Sequence, residues 1–331
     1  MYDLIKNFPG QLREAIAIGE NTLDKSARFT QTGISNVVVC GLGGSGIGGN
    51  VLSELLLDEL QVPVIVNKSY FLPAFVGKNT LLILASYSGD TEETISCARQ
   101  AIEKGLKPVC ITSGGKLAQL AATNGFCLFS IPGGFPPRAC LGFSGLQLFY
   151  VLHHYGLIGP AFKEVFYNVA DFLEEQQEEM MANAEIIAAK LLQKVIILYT
   201  EDKYESTALR LKQQINENSK LHCWYNVIPE MNHNELVGWR EANKALAVLI
   251  LRANDEYMRN TERILFKKAV IEKLSEDVYE IDARGENAFE KHYYLIHFGD
   301  WLSYYLAVKQ GYDPMEIDVL VKLKGHMNSI K

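Results

Sequence analysis

The sequence predicts an α/β protein whose sheets are doubly wound and mainly parallel, arranged in two halves. Three observations carry this. Short apolar, β-branched runs alternate with helical stretches, the first run passes directly into a glycine loop that opens a helix, and the alternation restarts after a long charged helix in mid-chain. An opening helical region ends near Phe29. Strands follow at Val37 to Cys40, Val62 to Val66, Leu81 to Ala85, Lys107 to Ile111 and Phe126 to Ser130, with helical patterns between them. Helices come next at about Leu141 to Tyr155 and Ala161 to Leu192, the second placed as a bridge. The second half has strands at Val195 to Tyr199, His222 to Val227, Ala245 to Leu251 and Val278 to Asp282, again separated by helices, the first from about Tyr204 to Asn216. Helices at about Ala288 to Gln310 and Met315 to Met327 close the chain, and the expected domains are residues 1–158 and 159–331.

The junction from Val37 to Val51, VVVCGLGGSGIGGNV, is built to hold an anion. Glycines let the backbone approach a ligand closely, the helix N-terminus directs N–H groups at it, and Ser45 adds a hydroxyl. Gly41, Gly43 and Gly46 satisfy G-x-G-x-x-G, so a dinucleotide is the rival ligand. A dinucleotide site also needs an acidic residue about 20 positions on, at the tip of the second strand. That strand ends in Asn67, Lys68 and Ser69 instead, and no Gly-Lys-Ser/Thr closes the glycine run as a Walker A loop requires. A second polar loop, Ser86-Tyr87-Ser88-Gly89-Asp90-Thr91, follows the third strand and opens a helix running to about Lys104. In a parallel sheet both loops emerge at the carboxyl edge, where ligands bind. Ser45, Ser86, Ser88, Thr91 and backbone amides could hold a phosphate there. The alternative is that Ser88 or Thr91 only caps the helix.

Composition narrows the partners. The 331 residues are 48% hydrophobic and carry a net charge of −7, which offers no general attraction to nucleic acid or acidic membranes. The N-terminal MYDLIKNFPG lacks the apolar core of a secretion signal, and no run approaches the roughly 20 apolar residues of a membrane span, so a cytoplasmic protein is expected. Six cysteines, without a C-x-x-C pair, read as small buried hydrophobes in a reducing compartment. The seven histidines show no metal-ligand spacing, and neither metal nor organic cofactor is expected.

The halves read as a diverged duplication. Val195 to Tyr199 and its helix repeat the first strand–loop–helix layout, but the intervening Thr200-Glu201-Asp202-Lys203 carries no glycine. Unusual polar clusters appear instead: Asn216-Glu217-Asn218 at the end of that helix, and Pro229-Glu230-Met231-Asn232-His233-Asn234 after the next strand. The pairing of GLGGSGIGG with SYSGDTEET resembles the sugar isomerase (SIS) domain. The further segments PPRACLG, INENSK, IPEMNHNE and LVKLKGHM, in that order, resemble the bifunctional phosphoglucose/phosphomannose isomerase family over nearly the whole chain.

The resemblance implies two SIS domains, usually dimeric with active sites near the subunit interface, and an aldose–ketose isomerase interconverting fructose 6-phosphate with glucose 6-phosphate and mannose 6-phosphate. Carried over by position, it implies that Gly44, Ser45, Ser86, Ser88 and Thr91 bind the sugar phosphate, Arg138 stabilises the enediolate, Glu217 is the base, His233 opens the sugar ring from its own or a neighbouring subunit, and Lys324 lies near the ring oxygen. The residue types suit the chemistry. One carboxylate can carry a proton between C2 and C1 through a cis-enediol, an imidazole titrates where ring opening needs it, and a guanidinium offers fixed positive charge. Each has a plainer alternative: a solvated helix-end glutamate, a loop histidine, a surface ion-pair arginine, a lysine complementing a helix dipole. Glu230 is expected to orient His233 rather than act as base. Two departures from the family pattern stand out. Ile317 replaces a threonine associated with tolerance of the C2 epimer, which puts glucose 6-phosphate ahead of mannose 6-phosphate as the expected substrate, and Asp90 replaces an asparagine and is expected to cap the helix it precedes. Amino-sugar phosphate isomerases and sugar-phosphate-sensing regulators are the rivals, but the chain shows neither an amidotransferase domain nor a DNA-binding face.

Overall fold

The computed structural model describes residues 1–26 and 29–330. These form two compact units: one of Asp3–Gln176 with Gly285–Tyr293, the other of Met1–Tyr2, Gln177–Arg284 and the described residues from Tyr294 onward.

In the first unit, helices α1 (Tyr2–Lys6) and α2 (Phe8–Ser26) precede strand β1 (Asn36–Cys40). The end of the opening helical region predicted near Phe29 falls partly outside the described residues. Then come α3 (Gly43–Leu55), β2 (Val64–Asn67), β3 (Thr80–Ala85), α4 (Glu92–Glu103), β4 (Val109–Thr112), α5 (Gly115–Asn124), β5 (Cys127–Ser130), α6 (Leu141–His154) and α7 (Phe162–Lys190), whose chain is divided between the units. The five strands are all parallel, in the order β2-β1-β3-β4-β5. The inner strands β1 and β3 are covered on both faces, with Val37, Val38, Val39 and Leu81 through Ala85 buried, while the edge strand β2 exposes Ile65. The chain leaves β1 towards one side of the sheet and β3 towards the other, so the carboxyl ends of these adjacent strands form a topological switch point.

The second unit holds β6 (Val195–Glu201), α8 (Glu205–Asn218), β7 (Cys223–Ile228), β8 (Leu246–Arg252), α9 (Met258–Ile271), β9 (Val278–Asp282), most of α10 (Ala288–Lys309) and α11 (Asp318–Ser329). Its four parallel strands run β7-β6-β8-β9, the order of the first sheet without its fifth strand. The duplication seen in the sequence is therefore a duplication of winding.

Two expectations need correction. No α-helix joins β7 to β8; the connection is two short 3-10 turns, Glu230–His233 and Glu235–Gly238. Proline, asparagines and glycine leave that segment without a helical apolar face. The last helix starts at Asp318 rather than near Met315, because Ile317 is held at φ −144° and acts as its N-cap. None of the six cysteines is in a disulfide, and all are buried. Among the described residues, no helix is long and apolar enough to cross a membrane.

Candidate active site

Three loops meet at the switch point of the first sheet. From β1, the chain turns into α3 with Leu42 as N-cap and no side-chain cap, which leaves the first N–H groups of the helix available to an anion. From β3 comes the loop Ser86–Thr91. Thr91 is the N-cap of α4, yet its hydroxyl makes no capping bond. It pairs with the Ser86 hydroxyl at 2.8 Å instead, so the plain capping alternative does not describe it. Ser86 Oγ also accepts from the Gly89 amide at 3.1 Å. Two hydroxyls joined by one mutual bond keep one hydrogen to offer outward. Ser45 Oγ accepts from the Tyr87 amide at 3.0 Å and likewise keeps its hydrogen. Ser45 and Ser86 are buried, whereas Ser88 is exposed, its Oγ accepting from the Asp90 amide at 3.3 Å.

The third loop is the 3-10 turn Pro137–Ala139. Arg138 is 4% exposed, which removes the surface ion-pair alternative. Its turn seats against Gly44, where an added Cβ would lie 2.7 Å from the Pro137 carbonyl oxygen and 3.3 Å from the Arg138 Cα. Only glycine allows this approach, so Gly44 shapes the site by what it lacks. Tyr87 joins all three loops: its amide bonds to Ser45 and its hydroxyl accepts from the Phe135 amide at 3.0 Å. Burial pushes the Tyr87 phenol up to about 12, so it stays a neutral strut. Nothing in the sequence pattern singled out Tyr87, because its role rests on a backbone amide. Gly89, at φ +72°, packs onto the Gly114 carbonyl and locks the second loop to the start of α5. Asp90 serves the same junction: its carboxylate accepts from the Lys116 amide at 3.2 Å and so caps α5, not the helix it precedes.

The second unit positions Glu217 in the last turn of α8. A polar stripe at helical spacing pins that helix to α10. Arg210 and Asp300 form a two-pronged pair at 3.1 and 2.7 Å, Gln214 donates to Asp300 at 2.7 Å, Asn218 to Ser303 Oγ at 3.0 Å, and Ser219 Oγ to the Ser303 carbonyl at 2.7 Å. Burial pushes the Asp300 carboxyl up despite the guanidinium beside it. Residues at i, i+4 and i+8 were a readable signal for this anchor, which sequence reasoning missed. Glu217 lines a cavity of about 1030 Å³ together with Asn216, Lys220, Trp224, Ile317 and Leu320. Lys220 closes one side, donating to the carbonyls of Glu217 at 2.7 Å and Glu316 at 2.8 Å.

His233 and Lys324 do not line that cavity, and both are exposed. His233 ends the turn Glu230–His233. The neighbouring Glu230 carboxylate accepts from Asn234 at 2.9 Å. Lys322 and Lys324 both stand on α11, and two helical residues apart they point to nearly opposite sides. The structure thus draws Gly44, Ser45, Ser86, Thr91 and the Arg138 turn together, and sets Glu217, His233 and Lys324 on separate elements of the second unit.

Residues 181–327 match the bacterial phospho-glucose isomerase C-terminal SIS domain. The bifunctional phosphoglucose/phosphomannose isomerase of Caldicellulosiruptor bescii is 37% identical over 341 aligned positions that span 100% of both chains. The chain belongs to the bifunctional phosphoglucose/phosphomannose isomerase family. The Aquifex aeolicus protein of the same name is 34% identical over 89% of this chain and 91% of its own. The C-terminal domain of glucosamine-fructose-6-phosphate aminotransferase from Francisella tularensis superposes with a TM-score of 0.74 over 95% of this chain and 96% of that one; at 15% identity this is a likeness of fold. The two parallel sheets are accordingly SIS sheets, as family membership requires.

Proposed function

We propose that this chain is a phosphosugar isomerase that interconverts fructose 6-phosphate with glucose 6-phosphate and mannose 6-phosphate. The observation that carries this is the three-loop cradle with its buried Arg138, in a chain that matches isomerases of that name from end to end. The α3 N-terminus and the hydroxyls of Ser45, Ser86, Ser88 and Thr91 hold the phosphate without a lysine. His233 transfers the proton that opens the sugar ring, with Lys324 near the ring oxygen. Glu217 takes the proton from C2 of the open aldose, the electron pair forms the C1–C2 double bond, and the charge on O1 is met by Arg138. A proton moves from O2 to O1, the carbonyl re-forms at C2, and Glu217 returns its proton to C1.

Ile317 lines the same cavity as Glu217, which supports reading it as a contributor to the choice between C2 epimers. A homodimer with shared sites is part of the proposal. Helix α11 exposes Val319 and Leu323, four residues apart on one face, and Val321 on the opposite side, apolar groups that a second copy would cover. Coupled assays with fructose, glucose and mannose 6-phosphates and amino-sugar 6-phosphates, run with EDTA, test the substrate class; turnover of the amino sugars alone would refute it. Refolded mixtures of His233→Ala and Glu217→Gln proteins should regain part of the activity, and no recovery in demonstrated mixed dimers would refute the sharing.

A further inference from the structure

The segment that carries His233 has only two 3-10 turns of its own, yet it is pinned on both flanks. Two residues before the imidazole, Met231 is fully buried with Ile197, Ile228 and Ile264. Two residues after it, Glu235 is gripped by both oxygens. Oε1 accepts from the Tyr199 hydroxyl at 2.5 Å and Oε2 from the Asn226 amide at 2.7 Å. The same Tyr199 hydroxyl accepts from Trp239 Nε1 at 3.1 Å, closing the segment's far end. Tyr199 is fully buried on β6, and Lys267 Nζ lies 4.2 Å from its ring centre. Lys267 is itself fully buried on α9, and its Nζ has no hydrogen-bond partner among the described residues. The Tyr199–Glu235 bond therefore rises from a fully buried ring, while Glu235 and Trp239 edge a cavity of about 580 Å³. A short hydrogen bond to a carboxylate in such surroundings fixes geometry more firmly than one in water.

We propose that the Tyr199–Glu235 bond is the positioning element for His233: it holds the imidazole where the sugar ring is opened, and it has no part in moving the proton between C2 and C1. Tyr199 and Glu235 act through His233 and touch no substrate. The inference rests on the ring-opening role proposed for His233.

Tyr199→Phe keeps the ring beneath Lys267 and removes only the hydroxyl. Glu235→Ala removes the acceptor, and Glu235→Gln restores one. Ring opening is read directly as enzyme-catalysed exchange between the anomers of glucose 6-phosphate by exchange NMR. Proton transfer is read separately with 5-deoxyfructose 6-phosphate, which lacks the hydroxyl needed to close a ring. Anomer exchange should fall by about tenfold or more in Tyr199→Phe and Glu235→Ala, consistent with a misplaced group. Glu235→Gln should recover most of it, and turnover of the open-chain sugar should stay within about twofold of wild type in all three. Equal losses on both sugars, or undisturbed anomer exchange, would overturn the proposal. If Tyr199→Phe does not fold, the two Glu235 variants carry the same comparison. A wild-type enzyme inert towards both sugars would instead overturn the isomerase reading, and this proposal with it.

Discussion

Gly44→Ala adds one methyl group at the point where the glycine loop and the Arg138 turn touch. The new Cβ would sit 2.7 Å from the Pro137 carbonyl oxygen, against the 3.4 Å at which ordinary contact begins, so the turn must retreat by roughly 0.7 Å (3.4 − 2.7 Å). The obstacle is backbone, with Pro137 C at 3.1 Å and Arg138 Cα at 3.3 Å behind it, so no side-chain rotation relieves it. Overpacking of this kind costs about 1–3 kcal/mol. Gly44 is also the second residue of α3, where alanine is favoured over glycine by up to about 1 kcal/mol. Folding stability should therefore fall by no more than about 3 kcal/mol. Catalysis should suffer more, because Arg138 moves with its turn while the phosphate-holding groups stay with β1 and β3. Displacements near 1 Å cost up to about a hundredfold in rate. The expected result is a kcat/KM for fructose 6-phosphate reduced roughly tenfold to a hundredfold, mostly in kcat, with the thermal midpoint lowered by several degrees at most. An alanine variant with wild-type kcat/KM would show that the contact between Gly44 and the Arg138 turn does not matter to the reaction.

Other expectations follow from the same geometry. Ser86→Ala removes a hydroxyl that also serves Thr91 and the Gly89 amide; KM for fructose 6-phosphate and the inhibition constant of inorganic phosphate should both rise about tenfold, at ~1.5 kcal/mol for a bond to a charged group, and unchanged values would remove Ser86 from the cradle. Arg210→Met leaves the buried Asp300 carboxylate without its cation, only Gln214 still donating to it, and should cost about 3–5 kcal/mol in urea unfolding; a loss under about 1 kcal/mol would mean that the pair does not anchor α8. Lys267 is pushed down to about 7 by burial, so between that pH and its ordinary value of 10.5 the unfolded chain binds the extra proton and stability rises with pH. Relative to Lys267→Met, wild type should gain up to ~1.4 kcal/mol per pH unit across that window and nothing below it, and a pH-independent difference would refute the assignment.

The strands were the most legible part of the chain. Each of the nine lies within two residues of its predicted ends, because short runs rich in β-branched and aromatic residues, bounded by turn residues, fit a pleated strand better than a helix. The cradle loops were legible for a related reason, since glycine and hydroxyl residues directly after a buried strand have few other uses. Tyr87 was not, because its amide bond to Ser45 depends on two loops far apart in sequence. The Arg210–Gln214–Asn218 stripe was written in helical spacing but looks like a solvated face until α10 is known to cover it. The segment around His233 was misread as helical because its order comes from Tyr199 and Asn226 on neighbouring strands, not from its own periodicity.

The most direct measurement follows the C2 hydrogen. Glucose 6-phosphate formed from fructose 6-phosphate in D₂O with EDTA present should carry deuterium at C2 in the wild-type reaction, and Glu217→Gln should slow that incorporation by a factor of at least about a thousand. Rapid incorporation by Glu217→Gln would contradict the assignment of Glu217 as base. Isomerisation by wild type without solvent hydrogen at C2 at any exposure time, even under repeated equilibration, would contradict the enediol route itself.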